Sequence, residues 1–199
     1  MEEGDKIEKG RVCVTGGTGF FASWLIKRLL EDGFSVNATI RSNEEHKYFT
    51  ELSGASERLT IFEADLDKPD SFDAAIQGCT GVFHVAYPIA IEYAEKHGLD
   101  FVSIIPTWIH GPFVCPFLPG SVSASMAMII GHQDEYSFKY LWRTPFVHTD
   151  DLARAHIFLF ESPEAKGRYI CNAVEITIDK LAECLSATYP EYPIPTTAE

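Results

Sequence analysis

The chain has 199 residues, of which 46% are apolar and 23% charged, enough apolar material for one domain or one domain with a small appended lobe. A formal net charge of −13 argues against nucleic acid or an anionic membrane as the main partner, because both need a basic patch. Five cysteines, odd in number and with no C-x-x-C pair, read as reduced core thiols of a cytoplasmic protein, and no run reaches the ~18 apolar residues of a membrane span.

Residues 1–9 are polar and charged and lack an apolar signal core. Residues 11–15, Arg-Val-Cys-Val-Thr, read as a buried parallel strand, and residues 22–30 carry apolar side chains at helical spacing up to a stop at Gly33. Between them stands a glycine cluster. Gly17, Gly19 and Ala22 fit G-x-G-x-x-G/A, and Gly16, Gly19 and Ala22 fit the variant G-x-x-G-x-x-G/A. In such a motif the first glycine makes the tight turn, the second lets a pyrophosphate approach the backbone, and the third small residue lets helix and strand pack closely. The phosphates rest on N–H groups of the helix start, where the dipole favours negative charge. Residues 35–40 read as a second strand, followed by Arg41 at 22 positions from Gly19. That is close to the ~20 expected for the residue that reads the ribose 2′ position, and an arginine there suits a 2′-phosphate, so NADP(H) is favoured over NAD. Lys47 reads equally as a second cation for that phosphate or as a solvated loop lysine.

Residues 42–56 are polar and predict a short helix ending near Gly54, before a third strand over 59–63. Asp65 then stands where a carboxylate could accept from the adenine amine, or where it merely caps a loop. A helix is expected over 69–77 and a fourth strand over 81–86, with His84 reading as a hydrogen-bonded core histidine. This alternation predicts an α/β fold, a doubly wound parallel sheet. The rhythm then changes. Only a short helix over 89–97 separates the fourth strand from the next, 101–105. A loop over 106–120 carries Pro106, Pro112, Pro116 and Pro119, as loops at the ligand-binding carboxyl edge of open sheets do. Helices follow over 122–130, 150–160 and 177–188, the last capped by Thr177, with short strands at 146–148 and 168–171 and a loose tail from 190.

Several stretches resemble one family: Val-Cys-Val-Thr-Gly-Gly-Thr-Gly-Phe (12–20), Gly-Ala-Ser-Glu-Arg-Leu (54–59), Ala-Asp-Leu-Asp (64–67), Gly-Cys-Thr-Gly-Val-Phe-His-Val-Ala (78–86), Ile-Ile-Pro-Thr-Trp-Ile-His-Gly-Pro-Phe (104–113) and Phe-Val-His-Thr-Asp-Asp-Leu-Ala-Arg-Ala-His (146–156). They are similar to the plant dihydroflavonol 4-reductase, vestitone reductase and anthocyanidin reductase group of extended short-chain dehydrogenases/reductases. The resemblance implies an NADP-binding Rossmann domain over 1–121 and a remnant of a small C-terminal substrate lobe over 122–199. It implies hydride transfer from NADPH to a ketone or aldehyde of a small, flavonoid-like molecule. By the same resemblance Gly16, Gly19, Phe20 and Phe21 would hold the pyrophosphate, and Arg41 and Lys47 the 2′-phosphate. Asp65 and Leu66 would flank the adenine, Val85 and Ala86 would line the ribose, Pro106 and Ile109 would border the nicotinamide, and Ser121 would add a phosphate contact.

The family's proton donor is a tyrosine whose pKa is lowered by a lysine four residues later, with a serine or threonine on the preceding strand. No Tyr-x-x-x-Lys occurs in this sequence: the fourth residues after Tyr87, Tyr93 and Tyr136 are Ile91, His97 and Tyr140. Set against the family, the junction near residues 91–92 omits about two βα units of ~30 residues or somewhat more each, and the C-terminus stops short of the family's usual end. Two consequences are expected for the sheet. Either the strand at 101–105 slides over to pair with the fourth strand, or the fourth strand keeps a bare apolar edge. No catalytic residue is assigned. Tyr87 and His148 are the substitutes available to an active enzyme, and the alternatives are a non-catalytic cofactor- or partner-binding variant or an unstable fragment.

Overall fold

A computed structural model describes residues 9–41, 43–85, 96–130 and 141–194. Its chain divides into two compact units, the first formed by Met1–Val102, Phe113–Pro116 and Ala153–Gly167, the second by Ser103–Pro112, Phe117–Leu152 and Arg168–Glu199.

The first unit is built on a four-stranded parallel sheet. Strands β1 (Arg11–Thr15), β2 (Ser35–Ile40), β3 (Leu59–Glu63) and β4 (Gly81–His84) lie in the order β3-β2-β1-β4. β1 and β2 are buried along almost their whole length; β1 runs Val-Cys-Val through the interior, whereas β2, Ser-Val-Asn-Ala-Thr-Ile, alternates in sequence and buries its polar Ser35, Asn37 and Thr39 as well. Between them runs helix α1 (Phe20–Glu31), which lays Phe21, Ala22, Leu25, Ile26, Leu29 and Leu30 on one buried face. Each large aliphatic among them contributes about 1.5–3 kcal/mol by leaving water. The helix stops where Gly33 takes a φ of +94°, with the Gly33 amide donating to the Leu30 carbonyl and the Phe34 amide to the Leu29 carbonyl. That pair of bonds is a Schellman stop, and it needs a residue that tolerates the left-handed region.

Residues 43–58 differ from the single short helix expected. A 3-10 helix covers Asn43–Glu51, and a separate helix α2 covers Ala55–Arg58. Gly54, at φ +80°, stands at the start of α2 and does not terminate the helix before it. A further 3-10 turn (Pro69–Phe72) and helix α3 (Asp73–Ile76) replace the continuous helix expected over 69–77.

Two features of this unit come from distant sequence. Helix α6 (Thr149–Glu161) carries Phe160 into an aromatic group with Phe34 and Phe83, at centroid separations of 6.1 and 5.2 Å. The Phe160 ring lies so close over Gly81 that a Cβ there would come within 2.2 Å of it. Asn37, buried in β2, accepts from Arg11 at 2.9 Å and donates to the Ala75 carbonyl at 2.8 Å, so the polar group inside the sheet is satisfied. The strand at 101–105 does not slide over to β4. It forms as β5 (Val102–Pro106) and pairs with β8 (Gly167–Cys171), while among the described residues β4 remains the outer strand, with Val82 45% exposed.

The second unit holds a mixed sheet in which β6 (Trp108–His110) runs parallel to β7 (Arg143–His148), and β7 runs antiparallel to β9 (Val174–Thr177). Helices α4 (Gly120–Ser125) and α5 (Ala127–Ile130) break at Met126, where one continuous helix was expected. Helix α7 (Ile178–Thr188) is capped by the Thr177 side chain, which accepts from the Lys180 amide. Met128, Leu141, Ile178, Ala182 and Leu185 form the core of this unit. Cys184 stands exposed on α7, so it is not a core thiol. None of the five cysteines is paired. The helix expected over 89–97 and the strand end at 85–86 fall mostly outside the described residues.

Candidate functional site

The turn from β1 into α1 selects between the two glycine registers. Gly16 sits at φ +65°, with its amide donating to the Thr39 hydroxyl at 3.2 Å, and Gly17 donates to the Thr39 carbonyl at 2.8 Å. Gly16 is therefore the turn glycine. Gly17 meets a different demand, since a Cβ there would lie 3.1 Å from Ile26, 3.3 Å from the Ala38 Cβ and 3.3 Å from the Thr39 carbonyl. It lets α1 approach β2. Gly17→Ala is accordingly expected to destabilise the fold by about 1–2 kcal/mol through overpacking, read as a lower denaturant midpoint at unchanged slope.

Gly19 closes the loop by donating to the Gly16 carbonyl at 3.0 Å and serves as the N-cap of α1. The first intrahelical bond runs from the Ser23 amide to the Gly19 carbonyl. The amides of Phe20, Phe21 and Ala22 thus precede any partner in the helix ladder. No side chain caps this end and no acidic residue stands in the first turn. Three backbone donors at the positive end of a twelve-residue helix make a fit for an anion such as a pyrophosphate.

Because β1 to β4 are parallel, their carboxyl ends share one edge. Gly16 follows β1, exposed Arg41 follows β2, Asp65 and Leu66 come just after β3, and Val85 follows β4. The sheet order places β1 between β2 and β4, so the chain reverses its direction of winding at β1/β4, the crevice where open α/β sheets bind ligands. Leu66 is 55% exposed on that edge. Asp65 is partly engaged in its own turn, its carboxylate accepting from the Asp67 amide at 3.1 Å. Lys47 is exposed on the 3-10 helix beyond β2. Pro106, Ile109 and Ser121 belong to the second unit. There Ile109 pairs with Val147, and the Ser121 carbonyl accepts from the Trp108 indole at 2.9 Å. Ala86 and Tyr87 lie outside the described residues, as does the junction at 91–92.

Two further members of this edge carry no motif signal in the sequence. Thr39 anchors the glycine loop twice, yet it is one of three buried polar residues in β2, with Ser35 and Asn37, and nothing in the sequence singles it out. Thr15 meets His84 across the β1/β4 pair, Oγ1 to Nδ1 at 2.9 Å. His84 is therefore hydrogen-bonded as expected, yet it lies at the exposed end of its strand and not in the core. Partial burial of its ring lowers its pKa from the ordinary histidine value. In the second unit, burial and then the neighbouring His148 lower that of His110. His148 is occupied as well, its Nδ1 accepting from the Asp150 amide at 3.2 Å. Burial pushes the Cys13 thiol up to about 12, so it is no nucleophile.

The two histidine shifts have one sign. Folding favours the neutral ring at His84 and His110, so that contribution to stability is complete above the ordinary value of 6.5 and is lost as pH falls through the lowered folded values. Unfolding midpoints should therefore decline below about pH 6.5. The decline should flatten in a His84→Asn, His110→Asn double variant.

Among the described residues no helix is long and apolar enough to cross a membrane, and no group of three or more His, Cys, Asp or Glu could hold a metal ion.

Comparison with known proteins agrees with this geometry. The profile of the NmrA-like family matches residues 8–107, and that of the NAD dependent epimerase/dehydratase family matches residues 86–173. Vestitone reductase of Medicago sativa is 35% identical over 280 aligned positions, covering 96% of this chain and 85% of the relative. Dihydroflavonol 4-reductase of Hordeum vulgare is 35% identical, covering 94% and 77%. The crystal structure of the alfalfa vestitone reductase superposes with a TM-score of 0.84 at 36% identity, over 94% of this chain and 84% of that one. The 280 aligned positions exceed the 199 residues of this chain by 81, so at least that many positions of the alignment have no residue here. With a parallel sheet wound about a glycine turn and this degree of identity, the chain belongs to the extended short-chain dehydrogenase/reductase family that includes vestitone reductase and dihydroflavonol 4-reductase.

Proposed function

We propose that the chain is an NADP(H)-binding member of this reductase family that keeps the cofactor cradle and has lost most of the capacity to deliver a proton. The uncapped start of α1 carries the reading: three backbone donors follow a glycine turn held by Thr39. On it the amides of Phe20, Phe21 and Ala22, with Gly16 and Gly19 at the turn, hold the pyrophosphate. Arg41, supported by Lys47, holds the 2′-phosphate that distinguishes NADP(H) from NAD(H). Asp65 and Leu66 border the adenine, and Val85 and Ala86 the ribose. Pro106 and Ile109 serve the nicotinamide, Ser121 adds a phosphate contact, and residues 122–199 keep part of a lobe for a flavonoid-like ketone.

A bound nicotinamide supplies the hydride for carbonyl reduction. Completing that reduction takes a proton donor at the carbonyl oxygen, and a tyrosine tuned by a lysine four residues on has no counterpart in this sequence. Of the substitutes, His148 accepts the Asp150 amide at Nδ1, which leaves Nε2 to carry a proton, and Tyr87 is the other candidate. The positions missing from the alignment support the same reading, since a loss of this size is large enough to take donor, lysine and serine together. The test is a titration of the purified chain with NADPH and with NADH, followed by fluorescence. Saturable binding that prefers NADPH is expected. Equal affinity for the two would remove Arg41 from its role, and no binding of either would overturn the proposal.

A further inference from the structure

Phe20 opens α1, and its ring meets that of Phe113 edge-on, with centroids 6.5 Å apart and planes at 82°. Phe113 comes from far downstream. It belongs to the segment Phe113–Pro116, which packs as part of the first unit although the chain on either side belongs to the second. Cys115 fixes that segment by burial, being only 4% exposed, while Phe113 keeps 38% of its surface in solvent. The arrangement therefore spends a buried anchor to hold a half-open aromatic ring beside the first residue of the phosphate-binding helix. Edge contact between two rings accounts for part of its position. It does not account for the exposed remainder, held against the side chain of the residue whose backbone amide is the first of the helix-start donors.

We infer that Phe113 is a cover for the pyrophosphate cradle, a binding residue that the glycine motif does not contain. This rests on the cofactor reading proposed above. An apolar ring beside N–H donors keeps water from competing for them and lowers the local dielectric, which strengthens each charge-assisted bond to a phosphate oxygen. The ring also gains apolar contact when the ligand arrives, so its exposed fraction is used on binding.

The experiment compares wild type, Phe113→Ala and Phe113→Leu against three ligands: NADPH, ADP-ribose and adenosine 2′-monophosphate. The first two carry a pyrophosphate and the third does not. Phe113→Ala is expected to weaken NADPH and ADP-ribose by about fivefold and to leave the mononucleotide unchanged. Phe113→Leu, which keeps an apolar cover, should recover most of the loss. Thermal unfolding of each variant without ligand separates folding from binding. A loss common to all three ligands, or no loss at all in a wild-type background that binds NADPH, overturns the cover and leaves the cofactor reading standing. A wild-type chain that binds neither pyrophosphate ligand overturns both.

Discussion

Mixed with NADPH and a flavonoid-class ketone, the purified chain is expected to oxidise the cofactor at a rate at least about 10²- to 10⁴-fold below that of an intact family member. The magnitude follows from what is absent. A positioned general acid lowers the barrier by roughly 3–5 kcal/mol, at 1.36 kcal/mol per tenfold in rate. On the proposed reading the lysine that would tune the acid and the serine that would orient the carbonyl go with it. Hydride transfer without a donor leaves an alkoxide to be stabilised in an unprepared site, which places the deficit at the upper end of that range or beyond. The measurement is ketone-dependent loss of NADPH absorbance under saturating cofactor, with vestitone reductase as the reference. A Tyr87→Phe variant completes it: any residual rate that survives the substitution does not depend on that hydroxyl.

Charge reversal at the end of β2 should produce the second large effect. Arg41→Asp is expected to weaken NADPH binding by about 100-fold and to improve NADH, inverting the preference of the chain. Arginine at this place offers a planar fork of donors to a dianionic 2′-phosphate. An aspartate repels that phosphate and accepts from a free ribose hydroxyl instead. Arg41 is exposed, so added salt should weaken the wild-type preference for NADPH and leave NADH binding nearly untouched. Lys47→Ala should move in the same direction by a smaller step, because a single flexible ammonium at an exposed site holds a phosphate less specifically. Paired titrations of both dinucleotides across an ionic-strength series check all of this in one experiment.

The front of the molecule was legible because its signals are local. β1 to β3 are short stretches rich in β-branched and apolar residues, alternating with polar ones in β2, and α1 announces both its face and its stop at Gly33. Arg41 could be placed by counting from the glycine turn. Other features needed a neighbour that the sequence does not display. Thr39 matters because β2 lies against β1, which brings its hydroxyl to the Gly16 amide. Gly81 owes its lack of a side chain to Phe160, 79 residues later. β6 is only three residues long and sits among four prolines, with no period to reveal it, and β9 is four residues with no turn signal before α7. Gly54 shows the remaining difficulty. A glycine with positive φ serves as well at the start of a short helix as after the end of one, and composition does not distinguish them.

The proposed loss of intervening chain would account for the outer strand of the first unit. In the order β3-β2-β1-β4, further strands of a full doubly wound sheet would continue beyond β4. Among the described residues β4 instead keeps Val82 in solvent, and β5 finds its partner in β8. A bare strand edge without a guarding charge or proline is an association hazard, so binding and activity measurements call for dilute protein and a check of size before titration.

The account depends most on the start of α1 holding a dinucleotide, and backbone amide resonances report on that position directly. With the chain labelled in nitrogen and titrated with NADPH, the signals of Gly16, Gly19, Phe20, Phe21 and Ala22 should shift together and saturate at one ligand per chain, with Arg41 following for NADPH and not for NADH. Binding that moves other amides and leaves these five in place would contradict it.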